Sequence, residues 1–309
     1  MKKQKAVFVV GPTASGKTSL GIEIAKKFSG EIISADSMQI YKGIHIASAA
    51  PDKEEMQSIP HHLIEFLDVT EQFSVADYVK AAKEKITEIA ARGKLPIIVG
   101  GTGLYVSSLL DNTTFIEEET DLALRAEIEK EFDALGAEEM LRRLAEFDPD
   151  TAQKLHPNDK RRIIRAFEVY RTTGKTKTWQ NENSHLMKSE IEPCVLGITY
   201  DDRQLLYERI NKRVDIMLEK GLIEEARTAF KKYGAGGGFQ AIGHKELYGY
   251  LKGELSLAGA AELLKMQTRR YAKRQLTWFR RDDRINWLYA DREDVISKAF
   301  EAVEKFIKE

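Results

Sequence analysis

Gly11-Pro12-Thr13-Ala14-Ser15-Gly16-Lys17-Thr18 follows the apolar run Ala6-Val7-Phe8-Val9-Val10 and opens a helical pattern, so the sequence reads strand, loop, helix. Glycines at the first and sixth places let the backbone curl until several N–H groups converge on one spot, where a helix N-terminus adds its partial positive charge. That spot suits a phosphate or diphosphate. Lys17 brings a mobile cation to the outer phosphate, and the Thr18 hydroxyl is placed to ligate a Mg²⁺ bridging its oxygens. The motif alone does not say which phosphate compound the loop holds.

The chain has 309 residues, 42% hydrophobic and 31% charged, with seven prolines. That length and balance fit one large globular domain or a domain with a smaller insertion, without long disordered linkers. Cys194 is the one cysteine in the sequence, so no internal disulfide can form, and a reducing cytoplasm is the expected location. Met1-Lys2-Lys3-Gln4-Lys5 has the charged character of a signal-peptide start, but the apolar run after it is too short for a signal's core. No stretch approaches a membrane span.

A formal net charge of −1 would argue against a polyanionic partner if charge were evenly spread. It is sorted into patches instead. Residues 117–139 hold ten acids against two bases, whereas 154–177 and 265–284 each hold eight Lys and Arg against two acids. Patches of this kind steer nucleic acid, although a single basic run is also the ordinary look of a solvated helix face.

After the loop, residues 19–28 read as a helix with Leu20, Ile24 and Phe28 on one face, and residues 31–35 as a short buried strand. The chain emerges from that strand at Asp36-Ser37-Met38-Gln39-Ile40-Tyr41-Lys42-Gly43. In a parallel sheet the loops leaving strand C-termini lie beside one another, so Asp36 is expected next to the phosphate loop, as a base, a holder of metal-bound water, or simply a helix cap. His61 and His62 are adjacent on an extended segment and point to opposite faces, which favours structural roles over metal ligation. Residues 74–92 carry helical spacing. Residues 95–99 form the next core strand, and Gly100-Gly101-Thr102-Gly103-Leu104-Tyr105 turns it into a helix with Thr102 at the same cleft.

Near Asp111 the α/β alternation stops. The expected architecture is a P-loop NTPase-like parallel sheet flanked by helices, over 1–112 and 190–309, with an all-helical insertion at 113–189. Within the insertion, Ile163, Ile164, Phe167 and Tyr170 fall on one side of a helix, with Arg161 and Arg165 together on the other, a spacing that fits phosphates along a strand. Residues 194–199 return to strand character. The following helix buries Leu206, Ile210, Val214 and Met217, with Arg209 and Arg213 one turn apart in the geometry of a lid arginine. In the last long helix Tyr271 and Trp278 are assigned to the core.

These pieces in this order resemble the tRNA dimethylallyltransferase, or isopentenyl-tRNA transferase, family. The matching stretches are GPTASGKT, DSMQIYKG, HHLIE, VGGTGLY, HPNDKRRIIRAFE, QAIGHKE and TRRYAKRQLTWFR, spread over nearly the whole chain. The resemblance implies transfer of a dimethylallyl group from dimethylallyl diphosphate to N6 of the adenosine just 3′ of the anticodon. It implies that residues 11–18 hold the donor's diphosphate rather than ATP. It puts Arg213 ahead of Arg209, and sets Ser37, Met38, Gln39, Thr102 and Gln240 around the adenine. Lys160, Arg161, Arg162, Arg165 and Lys245 then face the tRNA, with the insertion on the anticodon arm. The chemistry suits the residues: the N6 lone pair is delocalised, so Asp36 takes its proton as the C–N bond forms. The leaving diphosphate is stabilised by the loop N–H groups, Lys17, Arg213 and a Thr18-bound Mg²⁺. A monomer acting on tRNA without a membrane is the expectation.

Two departures from the family's pattern stand out. Ala47-Ser48-Ala49-Ala50-Pro51 lacks the lysine usual before the proline, and His244 replaces a tyrosine. Three rival readings remain. A small-molecule or nucleoside kinase would use the same loop but has no need of an arginine-faced insertion. A nucleotide-gated RNA-binding protein leaves Asp36 without a task. A prenyltransferase acting on free AMP or ADP leaves the basic surface unexplained. Neither strand before Asp36 nor the one before Gly100 leads a long apolar run into a metal-holding aspartate, so negligible ATP hydrolysis is expected.

Overall fold

The computed structural model describes residues 3–115, 121–184, 189–234, 242–292 and 294–309. The chain divides into two compact units, residues 1–110 with 189–309, and residues 111–188.

In the first unit, β1 (Gln4–Val10) is apolar on both faces, and Ala6 to Val10 are fully buried. A strand with no polar face must be covered on both sides, which is the condition of a parallel sheet between helices. From β1 the chain passes through α1 (Lys17–Lys27), β2 (Gly30–Ser34), α2 (His45–Ser48), β3 (His61–His62), α3 (Val75–Ala91), β4 (Leu95–Gly100) and α4 (Gly103–Leu110). Helix α3 begins with a reciprocal cap: the Ser74 side chain accepts from the Asp77 N–H while the Asp77 carboxylate accepts from the Ser74 N–H.

The second unit is helical throughout its described residues: α5 (Leu122–Leu135), α6 (Ala137–Phe147), α7 (Pro149–Lys154), α8 (Lys160–Thr173) and α9 (Lys177–Asn183). Ile128, Phe132, Met140, Leu144, Ile163, Ile164 and Phe167 form its core. Buried Asp148 joins α7 to α9, accepting from the Thr151 N–H at 3.3 Å, the Thr178 N–H at 3.1 Å and the Thr178 hydroxyl at 2.5 Å. Tyr170 corrects the expected core face of α8. It is exposed and stacks on Phe147 with ring centroids 4.0 Å apart, so the apolar stripe ends at Phe167 and the fourth aromatic forms a surface pair.

The chain returns to the first unit through β5 (Ile191–Thr199), α10 (Arg203–Glu219), α11 (Leu222–Tyr233), α12 (His244–Leu251), α13 (Leu257–Phe279), β6 (Ile285–Tyr289) and α14 (Val295–Lys308). The sheet order is β3-β2-β4-β1-β5-β6, and every pairing is parallel. β4 therefore sits between β1 and β2, with Val10 beside Gly100 and Ser34 beside Val99. The turns after β1, β2 and β4 all open on the same edge. Trp278 corrects its core assignment. It is 39% exposed and lies over Gly103, where an added Cβ would stand 2.3 Å from the indole.

The adjacent histidines take structural partners: His61 Nδ1 lies 2.8 Å from the Ile59 carbonyl, and His62 Nε2 2.7 Å from Glu31, which Arg92 also binds. Among the described residues, no helix is long and apolar enough to cross a membrane.

Candidate active site

The turn after β1 is tight because its backbone leaves no alternative. Gly11 is pressed against β5, where a Cβ would meet the Ile198 carbonyl at 2.4 Å, and Gly16 takes a left-handed conformation as the N-cap of α1. Between them Ala14 also has positive φ, 63°. For a residue with a Cβ this is a strained state, costing about 1–3 kcal/mol and kept only where the surroundings fix it. Three contacts do so: the Ser15 N–H donates to the Pro12 carbonyl at 3.3 Å, Arg209 Nε to the Ala14 carbonyl at 3.0 Å, and the Thr13 N–H to Gln275 Oε1 at 2.8 Å.

The Ser15 hydroxyl is buried in this turn without a hydrogen-bond partner among the described residues. A hydroxyl so placed costs stability unless something accepts from it, and an anionic oxygen in the loop would do so. Lys17 opens α1 and donates to the Pro12 carbonyl at 3.3 Å. Its pKa is lowered to about 8, chiefly by desolvation and then by the Arg213 charge, against the pull of Asp36. Desolvation also lowers the pKa of Arg213, while Asp36 and Glu55 raise it, and the guanidinium stays charged. Two cations confined side by side out of water are short of counter-charge, the electrostatics of a site built for an anion.

Beside the loop lies a cavity of about 540 Å³, walled by Ala14, Gly16, Lys17 and Thr18 on one side and Arg209, Arg213, Ile216 and Met217 of α10 on the other. Lys212 and Lys220 add positive charge to its rim, with Glu23 and Glu55 as the acids. Arg209 and Arg213 thus reach the phosphate loop from one helix, Arg209 through the loop backbone and Arg213 through the field around Lys17.

On the other side of Lys17, the turns after β2 and β4 are stitched together. The Ser37 N–H donates to Thr102 Oγ1 at 3.0 Å, the Thr102 N–H donates to the Ala35 carbonyl at 3.1 Å, and Gly100 packs so closely that a Cβ would fall 2.1 Å from the Ala35 carbonyl oxygen. Asp36 Oδ1 accepts from the Met38 N–H at 2.9 Å and the Gln39 N–H at 3.4 Å, so the carboxylate orients its own turn. Gln39 is held at both ends, accepting from Ser34 Oγ at 2.9 Å and donating to the Ala49 carbonyl at 3.1 Å. Met38 is partly buried against Ile44, Val69 and Ala229. Burial raises the pKa of Tyr105 and Tyr271, and the Asp36 charge adds to both shifts. The Asp36 charge therefore acts on Lys17, Arg213, Tyr105 and Tyr271 together.

Tyr271 and Gln275 of α13 are missing from the sequence-based site. Gln275 Nε2 donates to the Gly101 carbonyl at 2.9 Å, and Tyr271 lies where Asp36, Thr102 and Gln275 all act on its hydroxyl. Their signal in the sequence is only a Tyr and a Gln four residues apart on a basic helix. Gln240 lies outside the described residues. Lys245 is exposed at the start of α12, 3.9 Å from Glu246.

His244 is fully buried, with Nε2 2.9 Å from Glu225 Oε1. Glu225 also accepts from the Ile46 and Ala47 N–H groups at 2.8 and 2.9 Å. His244 thus shares one carboxylate with the backbone at the start of the segment that carries the other departure.

The α8 cations belong to the helical unit. Arg161, Arg162 and Arg165 are exposed, Lys160 pairs with Asp133 and lies 5.1 Å over the Phe132 ring, and Arg162 and Arg165 contact Asp159 and Glu168 at 3.6 and 3.4 Å.

The IPP transferase family matches residues 39–282. A tRNA dimethylallyltransferase of Caldanaerobacter subterraneus subsp. tengcongensis is 49% identical over 290 residues, 92% of this chain and 91% of that protein. One from Bacillus subtilis is 48% identical, over 92% of this chain and 90% of its own length. Among solved structures, the full-length tRNA isopentenylpyrophosphate transferase of Bacillus halodurans aligns with a TM-score of 0.71 at 41% identity, covering 99% of this chain and 96% of that one. A eukaryotic dimethylallyltransferase captured acting on tRNA aligns with a TM-score of 0.83 at 30% identity, over 99% of this chain and 80% of its own.

Proposed function

This chain belongs to the IPP transferase family, and we propose that it transfers a dimethylallyl group from dimethylallyl diphosphate to N6 of the adenosine 3′-adjacent to the tRNA anticodon. The observation that carries this reading is that two desolvated cations, Lys17 and Arg213, lie beside the phosphate loop within the field of the Asp36 carboxylate.

The donor's diphosphate lies in the loop, accepting from its N–H groups and the Ser15 hydroxyl, with Lys17 and Arg213 against its charge. The adenine, turned out of its stack, lies by Asp36, Ser37, Met38, Gln39 and Thr102. N6 attacks C1 of the allyl chain, and the C1–O bond to diphosphate breaks. Asp36 removes the proton that N6 loses as its lone pair is drawn into the new bond. Negative charge grows on the departing bridging oxygen, where the loop and the two cations are already oriented to receive it.

Thr18 would hold a Mg²⁺, and that ion would neutralise charge on the diphosphate. Among the described residues no cluster of three His, Cys, Asp or Glu side chains could hold a metal ion. A protein hydroxyl at this place suits an ion carried mainly by substrate oxygens and water. The helical unit, with Arg161, Arg162 and Arg165 exposed on α8, grips the backbone of the anticodon arm. The protein acts as a monomer in the cytoplasm.

Mass spectrometry of nucleosides from unmodified tRNA incubated with protein and donor tests the reading. It predicts an adenosine heavier by one dimethylallyl group at the expected position. A modified free nucleotide with unmodified tRNA, or phosphate transfer from ATP, would overturn it.

A further inference from the structure

We propose that Gln275 is a positioning residue that fixes the phosphate loop in the shape that receives diphosphate. Gln275 lies on α13, some 260 residues along the chain from that loop, and is 5% exposed. Its side-chain amide is used at both ends: Oε1 accepts from the Thr13 N–H at 2.8 Å, and Nε2 donates to the Gly101 carbonyl at 2.9 Å. The approach is close, since a Cβ on Gly101 would stand 2.2 Å from Nε2.

An amide with both ends committed inside the protein has one orientation, and it transmits that orientation to what it holds. Here it holds two turns that belong to different strands. It also engages the Thr13 N–H, which precedes the strained Ala14, and so selects one of the conformations a glycine-containing loop could otherwise sample. Helix α13 is itself tied to α10, the helix of Arg213, through Arg269 Nη1 to Asn211 Oδ1 at 2.6 Å and Lys265 to Asp215 at 2.8 Å. Loop and arginine are thereby referenced to one element. A loop that must first find its binding shape binds more weakly in proportion to the fraction of time it spends elsewhere.

The proposal rests on the reading that the loop receives a diphosphate, and its test separates the two. Calorimetric titration with inorganic diphosphate reads the loop without any transfer chemistry. For Gln275→Leu the diphosphate Kd and the donor KM should each rise about tenfold, while kcat at saturating donor and the tRNA Kd stay within about twofold. Gln275→Glu supplies a readout that simple packing would not move. Its protonated carboxyl can accept from Thr13 and donate to Gly101 as the amide does, whereas the ionised form loses the second bond and repels the ligand. Because burial favours the neutral acid, diphosphate affinity of that variant should recover toward wild type as the pH is lowered, beyond any change in the wild type, and it decides the matter if the leucine variant does not fold. Wild-type diphosphate affinity in folded Gln275→Leu overturns the proposal, as does equal loss of tRNA and diphosphate affinity with no recovery of the glutamate variant at low pH. Absence of prenyl transfer by the wild type, with the diphosphate results intact, would instead overturn the proposed function.

Discussion

Arg209 donates its Nε–H to the carbonyl of Ala14 at 3.0 Å, so the residue that carries the loop's left-handed turn is held by the helix that also carries Arg213. One turn of α10 separates the two arginines, and they do different work. Arg209 fixes a backbone oxygen of the loop. Arg213 makes no such bond among the described residues and supplies charge beside Lys17. Arginine suits both tasks because its rigid donor fork stays protonated even where burial disfavours charge.

Asp36→Asn preserves shape and most hydrogen bonding but removes the basic carboxylate. Turnover is expected to fall by about 10²–10⁴, with little change in tRNA affinity. Single-turnover measurements with saturating donor check this, and near-normal chemistry would take the base role from Asp36.

Lys17 predicts a pH dependence. Its pKa in the folded chain is about 8, below the ordinary lysine value, because burial and Arg213 disfavour the charged form. As pH rises through 8 the loop loses its mobile cation, so kcat/KM for the donor should fall about tenfold per pH unit beyond that point. Folding shows the opposite sign. The folded state binds this proton less tightly than the unfolded state does, so the destabilisation is complete below pH 8 and fades between pH 8 and 10.5. Lys17→Met should therefore melt higher at pH 7, by about 2–4 °C for each kcal/mol relieved, while losing prenyl transfer. A lower melting temperature would show that the lysine stabilises the folded loop.

The double substitution Arg161→Ala with Arg165→Ala should weaken tRNA binding and flatten its salt dependence by about two units of slope at most, one for each lost phosphate contact. Titration across a salt series measures this directly. An unchanged slope would make both side chains part of a solvated helix face.

Purified protein should hydrolyse ATP negligibly, with or without tRNA, and Lys17→Ala should abolish prenyl transfer while leaving tRNA binding largely intact. A phosphate-release assay run beside a labelled-donor transfer assay covers both statements. Robust ATP turnover without prenyl transfer would favour a kinase or a nucleotide-gated binding protein.

The phosphate loop, the strand before it and the turns at Asp36 and Thr102 were legible because each is local: a few consecutive residues set the backbone, and the strand–turn–helix order sets where it opens. What escaped was long range. Nothing near Gln275 in the sequence shows that its amide ends at Thr13 and Gly101. Periodicity put Tyr271 and Trp278 on one face of α13, but not that this face runs off the core at Gly103, leaving the indole packed on that glycine and partly exposed. The same limit applies to Tyr170, whose partner Phe147 belongs to another helix. His244 looked like an isolated departure until its neighbour Glu225 was seen to hold the backbone of residues 46 and 47.

The position of β4 between β1 and β2 acts as a ruler. Adjacent strands stand about 4.8 Å apart, so two intervals, about 9.6 Å, separate the strands that deliver the phosphate loop and Asp36. Backbone hydrogen bonds set that span, and no side-chain substitution can lengthen or shorten it. A donor with a different reach would have to be accommodated by rebuilding the turns, whereas changes in affinity and rate remain open to single residues on either side.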